Sequence, residues 1–153
     1  MGLSRLLGHY AGADVLFGGK PPAGVSPATD EETLRVASEM RLWETAVRGG
    51  GVILGRAGAV VLAGAPRALH VLLTGSQQAR LVRLVDAGLV DPREAGRRLA
   101  AADSARAAYW RQGYGRDPDD LSLYHVVLDT TALPLDTCAR HIAAFAREVE
   151  PAA

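Results

Sequence analysis

The chain has 153 residues, of which 48% are hydrophobic and 22% are charged. That length is typical of one domain with its own core, and it contains no run of about 18 uncharged apolar residues that could span a membrane. The 17 basic and 17 acidic residues cancel, which argues against bulk electrostatic attachment to a nucleic-acid polymer or an anionic membrane.

Residues 1–29 are weakly patterned, although Asp14–Phe17 could form a short strand. The Gly/Pro-rich stretch Gly18–Pro27 is predicted to be a loop. Lys20 follows two glycines, as in a phosphate-binding loop, but Pro21 stands where that loop needs a hydroxyl for magnesium. We therefore do not interpret this segment as a phosphate-binding loop.

A clear helical pattern follows the N-terminal loop. Thr29 or Asp30 can cap the helix, and Gly49–Gly51 is predicted to end it. Apolar residues recur at helical spacing and give the helix one apolar face. That face consists of Val36, Met40, Trp43 and Val47.

Three short apolar runs favour strands that are covered on both faces, as in a parallel sheet. The predicted strands are Val52–Leu54, Leu69–Leu73 and Tyr124–Leu128. Between and after these strands, four further helices are predicted. The first is Ala59–Ala63, the second is capped by Ser76 and ended by Gly88, and the third runs from Asp91-Pro92 to Gly113 or Gly115. The fourth runs from Pro134 to about Glu148, and its inner face is predicted to hold Cys138, Ile142, Phe145 and Val149. The alternation predicts an α/β domain, residues 1–153, with a parallel sheet and flanking helices.

Ligands of such folds bind beyond the carboxyl ends of the strands, where Gly55-Arg56, Thr74-Gly75 and Asp129-Thr130 fall. Arg56 lies between Gly55 and Gly58, which allow close approach of the backbone, so it could hold a phosphate bidentately. An ordinary surface arginine at a strand end is an equally good interpretation.

The helix after Pro92 is rich in arginine. Arg98 and Arg106 share a face, and Asp103 can orient Arg106 from three positions earlier. The helix could close over a polyphosphate, although the pattern by itself favours a solvated helix with ordinary surface ion pairs.

Metal and thiol chemistry have little support in the sequence. The four histidines, His9, His70, His125 and His141, lack metal-ligand spacing, so no metal site is predicted. Cys138 is the single cysteine of the sequence, which excludes a disulfide within the chain and fits a reducing, cytoplasmic setting. The absence of a nucleophile–base pattern counts against a hydrolase.

Several motifs, in the right order from about Asp30 onward, resemble the cytidylate kinase-like family. They are Gly50–Leu62, Arg67–Leu73 with Gly75, Arg80 and Arg83, Asp103–Tyr109 with Tyr114-Gly115 and Asp117, and Leu123–Asp136. The resemblance implies a nucleoside-monophosphate kinase fold of the P-loop NTPase class. It also implies Mg²⁺-dependent transfer of the γ-phosphoryl group of ATP to a nucleoside monophosphate such as CMP.

The same resemblance assigns roles to individual residues. Arg56, with Gly55 and Gly58, would hold the acceptor's phosphate. In a lid-like segment at residues 91–122, Arg106 would contact the transferred phosphoryl group and Asp103 would orient it. Arg97 or Arg98 would substitute, from one turn away, for a missing lid arginine. Arg80 would approach the phosphates of ATP.

The sequence also departs from the family's pattern. Ala57 replaces an aspartate, Leu99-Ala100 replaces an Arg-Asp pair, and the phosphate loop with its central strand is missing. We therefore expect an N-terminally truncated fold with an incomplete donor site and impaired catalysis by this chain alone. The orphaned strands could pair directly, recruit Asp14–Phe17, or take a strand from a partner such as a second copy; a mis-assigned start codon is a further explanation. The alternative function is a non-catalytic module that binds a nucleotide or a partner.

Overall fold

The computed structural model describes residues 27–48 and 51–149, which form an α/β arrangement. The elements are helix α1 (Pro27–Val47), helix α2 (Gly58–Val61), strand β1 (Val71–Thr74), helix α3 (Gln77–Asp86), helix α4 (Ala95–Tyr114), a 3-10 turn (Leu121–Leu123), strand β2 (Val126–Asp129) and helix α5 (Leu135–Glu148). The predicted Asp14–Phe17 strand and the loop around Lys20 lie outside the described residues. No described helix is both long and apolar enough to cross a membrane.

The sheet of the described residues consists of β1 and β2, which pair directly and in parallel. Val71 lies opposite Val126, and Thr74 lies opposite Asp129. Both strands were predicted, but each begins two residues later than expected. The prediction that both strands are buried on both faces was wrong. Leu73 and Val127 remain about half exposed, because the described elements cover the sheet only in part.

The third predicted strand, Val52–Leu54, is wrong for the described residues. This segment carries no strand, and Val52 is 97% exposed. Ile53 alone packs against the nearby core. A strand needs a neighbour to satisfy its backbone N–H and C=O groups, and no described segment pairs with this one.

Helix α1 begins earlier than predicted and has two apolar faces. The helix is already formed at Pro27, so Thr29 and Asp30 lie inside it rather than capping it. Leu42 is 8% exposed and packs, beside Ala46, against Leu62 and Ala65. The predicted apolar face lies elsewhere on the helix and is exposed: Met40 shows 68% of its surface.

The helices around the sheet begin and end at recognisable caps. The Ser76 hydroxyl accepts a hydrogen bond from the Ala79 amide at 3.2 Å, which confirms the predicted cap of α3. Helix α4 starts at Ala95 rather than Asp91, because the Asp91 carboxylate accepts the Arg93 amide and forms a turn first. Gly115 ends α4 in the left-handed region, with φ 61°.

One core cluster of the described part contains Leu42 of α1, packed with Leu62 and Ala65. Further buried side chains come from α4 and α5. These are Ala95, Leu99, Trp110 and Cys138. The prediction that Phe145 of α5 lies inside is wrong, since it is 44% exposed and no described element covers it.

Candidate functional site

The turn before α2 has a strained backbone. Gly55, Arg56 and Ala57 have φ values of 75°, 57° and 51°, all in the left-handed region. Such conformations cost non-glycine residues on the order of 1–3 kcal/mol and cluster at functional sites. Ala57 is fully buried and precedes α2, so packing holds the turn in place.

Arg56 is exposed at the tip of this turn. Within the described part of the chain it takes part in no ion pair or hydrogen bond. Gly55 adopts the left-handed conformation without a steric penalty. The backbone N–H of Gly58 donates a hydrogen bond to the Gly55 carbonyl at 3.1 Å and closes the turn. A free guanidinium on a rigid turn is suited to binding an anion from solution.

The spacing of Asp103 and Arg106 suggested that Asp103 orients Arg106, but the structure pairs Asp103 with a different arginine. Asp103 accepts two hydrogen bonds from Arg80, at 2.6 and 3.1 Å, and thereby links α4 to α3. Both side chains remain partly exposed. The helical spacing of Asp103 and Arg106 made a pair possible, but the packing of α3 against α4 offers Asp103 a bidentate partner.

Arg106 is held by the loop after α4. Its guanidinium donates to the Asp119 carboxylate at 2.7 Å and to the Pro118 carbonyl at 3.3 Å. The Tyr124 hydroxyl donates to the same carbonyl at 2.7 Å. Burial raises the pKa of Tyr124, although the charge of Arg106 opposes this shift. Arg106 therefore stabilises the loop that leads into β2.

A cavity of about 370 Å³ opens between α3, α4 and the loop after β2. Three arginines and two threonines supply its polar groups, and aliphatic side chains form the rest of its wall. The lining residues are Arg80, Arg83, Arg98, Leu84, Leu89, Val90, Leu99, Ala102, Thr130 and Thr131. The cavity therefore combines guanidinium donors for an anionic group with an apolar surface for a ring.

The structure brings some predicted site residues together and separates others. Arg80 and Arg98 both line the cavity, and Asp103 contacts Arg80. Arg98 also pairs, at 3.1 Å, with Glu94, the residue that immediately precedes α4. Arg56 and Arg106 do not line this cavity.

The loop after β2 is held tightly at the edge of the cavity. The Asp129 carboxylate accepts the amide of Thr131 at 2.8 Å and its hydroxyl at 2.6 Å. These bonds lower the pKa of Asp129, and the charge of Arg83 lowers it further. A Cβ added at Gly75 would overlap the Thr131 side chain, so this glycine permits the loops after β1 and β2 to touch.

Sequence reasoning gave Arg83 and Thr131 no ligand-binding role, although it placed Asp129-Thr130 at the carboxyl end of a strand. That position was the available signal, because ligands of parallel sheets bind there. The contribution of Arg83 depends on the packing of α3 against α4, which spacing along one helix does not reveal.

The described residues offer a magnesium ion no ready-made cluster of ligands. No group of three or more His, Cys, Asp or Glu side chains that could hold a metal occurs among them. Three carboxylates beside the cavity are already engaged: Asp103 by Arg80, Glu94 by Arg98, and Asp129 by Thr131. We derive no step through a metal ion.

Fold and cavity together define a small α/β protein with an arginine-lined cavity at the carboxyl edge of its sheet. The chain belongs to the cytidylate kinase-like family, whose model matches residues 3–132. The match includes the N-terminal segment, which precedes the motifs recognised above, and it ends before α5. The comparison with solved structures found no match.

A curated relative supports this family membership. The chain is 31% identical, over 112 residues, to a protein of Methanopyrus kandleri named cytidylate kinase. The alignment covers 68% of this chain and 58% of the relative. The chain thus matches little more than half of the relative's length.

Proposed function

We propose that this chain is a nucleoside-monophosphate kinase-like protein of the P-loop NTPase class with an acceptor site, a lid and an incomplete donor site. The observation that carries the proposal is the cavity where Arg80, Arg83 and Arg98 meet Thr130 and Thr131 at the carboxyl edge of the sheet. The family's name and its relative's name agree with this chemistry.

The cavity is the proposed site for a nucleoside triphosphate such as ATP. Its aliphatic wall, which includes Leu84 and Leu99, suits a base, and the guanidinium groups of Arg83 and Arg98 suit a phosphate chain. Arg80 contributes less while Asp103 occupies the end of its guanidinium.

The turn at Gly55–Gly58 is the proposed site for the phosphate of the acceptor, a nucleoside monophosphate such as CMP. The exposed Arg56 and the rigid backbone around it support this assignment. In the reaction, a phosphoryl group leaves its bridging oxygen and bonds to an oxygen of the acceptor's phosphate. Positioning and charge neutralisation dominate such transfers, so arginines that converge on the phosphates contribute most.

Catalysis by this chain alone is proposed to be slow. Its 153 residues contain no G-x-x-x-x-G-K-[ST] sequence, whose backbone amides cradle the donor phosphates in this class. Binding without turnover, the alternative function, is favoured by the same observation and by the engagement of Asp103 and Asp129.

Calorimetric titration with CMP and ATP separately tests the two proposed sites. Arg56→Ala should weaken CMP binding and leave ATP binding unchanged. Arg83→Ala should do the reverse, by about tenfold or more, since a charge-assisted hydrogen bond contributes about 1.5–3 kcal/mol. Arg111→Ala, at an exposed position of α4 outside the cavity, is the matched control.

A chain that binds neither nucleotide would contradict the proposal. So would equal losses from Arg83→Ala and Arg111→Ala. Robust conversion of ATP and CMP to ADP and CDP by the isolated chain would contradict the proposed impairment while leaving the two sites intact.

A further inference from the structure

Helix α1 carries an apolar surface that no described residue covers. We call Val36, Met40, Trp43 and Val47 the outer stripe. At 100° per residue these four positions fall within an arc of about 60°. All four remain substantially exposed, and Val47 shows 79% of its surface.

The outer stripe is distinct from the face of α1 that packs on the core. Leu42 lies about 130° away from the centre of the stripe around the helix. Leu42 packs with Leu62 and Ala65, and no residue of the outer stripe belongs to this cluster. Val52 and Leu54, just beyond the helix, are also exposed. Contiguous apolar surface of this kind marks an interaction site.

We propose that Val15–Phe17 of the same chain docks on the outer stripe. This segment holds three consecutive apolar residues, and it ends ten positions before the start of α1. The family match begins at residue 3, so the segment belongs to the matched region together with α1. A cover for an apolar helix face requires large apolar side chains, which Leu16 and Phe17 supply.

The connection between the segment and the stripe is long enough. From Phe17 to Pro27 the chain can span roughly 33 Å at about 3.3 Å per residue. Along α1, Met40 lies about 20 Å from Pro27, and Val47 lies about 30 Å from it. The segment can therefore reach every residue of the stripe.

The tether also favours this segment over a second copy of the chain. A segment that a short stretch of the same chain joins to its docking site has an effective concentration in the millimolar range. A second copy at micromolar concentration would need a much larger intrinsic affinity for the same stripe. The bound segment removes apolar surface from water at about 25 cal/mol per Å².

Fluorescence of Trp43 in the full chain tests the docking. Trp43 and Trp110 are the two tryptophans of the sequence, so Trp110→Phe isolates the signal of the stripe. In that background, Leu16→Ser with Phe17→Ser should shift the Trp43 emission to the red and increase quenching by acrylamide. Ala23→Ser, in the connecting loop, is the matched control and should change neither quantity.

Cross-linking provides a second readout that does not need the Trp110 substitution. Phe17→Cys with Met40→Cys should give an intramolecular link with a short bismaleimide at micromolar protein, while the native Cys138 is buried. Phe17→Cys with Arg97→Cys is the control. Tyr114, at one end of α4, contacts Arg35 of α1 through its ring. Arg97 lies at the other end of α4, about 25 Å along the helix from Tyr114.

Each outcome decides the proposal. An intramolecular link for the Met40 pair alone, with the red shift of Trp43, supports it. Intermolecular links would overturn it in favour of a second copy. No link above the control, or an unchanged Trp43 emission, would overturn it in favour of a cover from outside this chain.

Discussion

The cavity edge and helix α1 differ in how their side chains find partners. At the edge, Arg80 pairs with Asp103, and Asp129 binds Thr131, all within the described residues. On α1, the outer stripe has no described partner. The comparison shows that nearby loops and helices organise the polar site, while the described residues leave the outer stripe of α1 exposed.

The largest expected effect is a difference in unfolding free energy between a substitution in α4, beside the cavity, and one in α1. Leu99→Ala on α4 should lower the free energy of unfolding by about 2–5 kcal/mol, because it removes a buried side chain. Leu34→Ala on α1, where the side chain is exposed and lies off the outer stripe, should change it by less than about 0.5 kcal/mol. Urea denaturation of both variants checks this difference, and equal losses would break the comparison.

A substitution at the contact between the loops after β1 and β2 should lower the stability nearly as much. Gly75→Ala places a Cβ against Thr131, so it should cost about 1–3 kcal/mol by overpacking and weaken ATP binding. Gly64→Ala is the matched control, since its Cβ would meet open space. Thermal unfolding and calorimetry would contradict the interpretation if the two variants behaved alike.

A smaller effect concerns the ion pair that engages Arg80. Asp103→Asn should free the guanidinium for the phosphate chain and tighten ATP binding about two- to fivefold, as expected for release of a partly exposed pair of up to about 1 kcal/mol. Asp119→Asn releases Arg106, outside the cavity, and should leave ATP affinity unchanged. Weaker binding by Asp103→Asn would show instead that Asp103 positions Arg80 for the ligand.

The smallest expected effect is a pH dependence at the start of the sheet. Burial, and then the nearby charge of His125, lower the pKa of His70. The unfolded chain, with a histidine pKa of about 6.5, therefore binds a proton more readily than the folded chain does. This contribution to stability is present above pH 6.5 or so and is lost as the pH falls toward the lower folded pKa.

Urea denaturation between pH 7.5 and 5 measures this loss. His70→Gln keeps a donor for the Leu62 carbonyl, which lies 3.2 Å from Nε2 in the native protein, and removes the titration. The variant should lose less stability than the native chain on acidification. An identical pH profile would assign the acid sensitivity to other groups.

Local chemistry made several elements predictable. Ser76 and Gly115 define the start of α3 and the end of α4 through interactions within a few residues. The apolar runs of β1 and β2 identified both strands, and alternation with helices indicated their parallel pairing. The motifs that resemble the cytidylate kinase-like family also required only the order of residues, and the family membership is confirmed.

Pairings between elements were not predictable in the same way. Val52–Leu54 has the composition of a strand, but strand formation needs a neighbour, and composition does not provide one. The helical spacing of Asp103 and Arg106 predicted a pair, but the preferred partner came from another helix.

The sequence by itself determined the helices, the two paired strands and the family, because caps, periodicity and motif order act over short distances or in linear order. Only the tertiary structure decided which arginines share the cavity, which carboxylates engage them, and which face of α1 is buried. Those outcomes depend on how α3 packs against α4 and how Leu42 meets Leu62. They arise from contacts between residues far apart in the chain, where burial and geometry outweigh spacing.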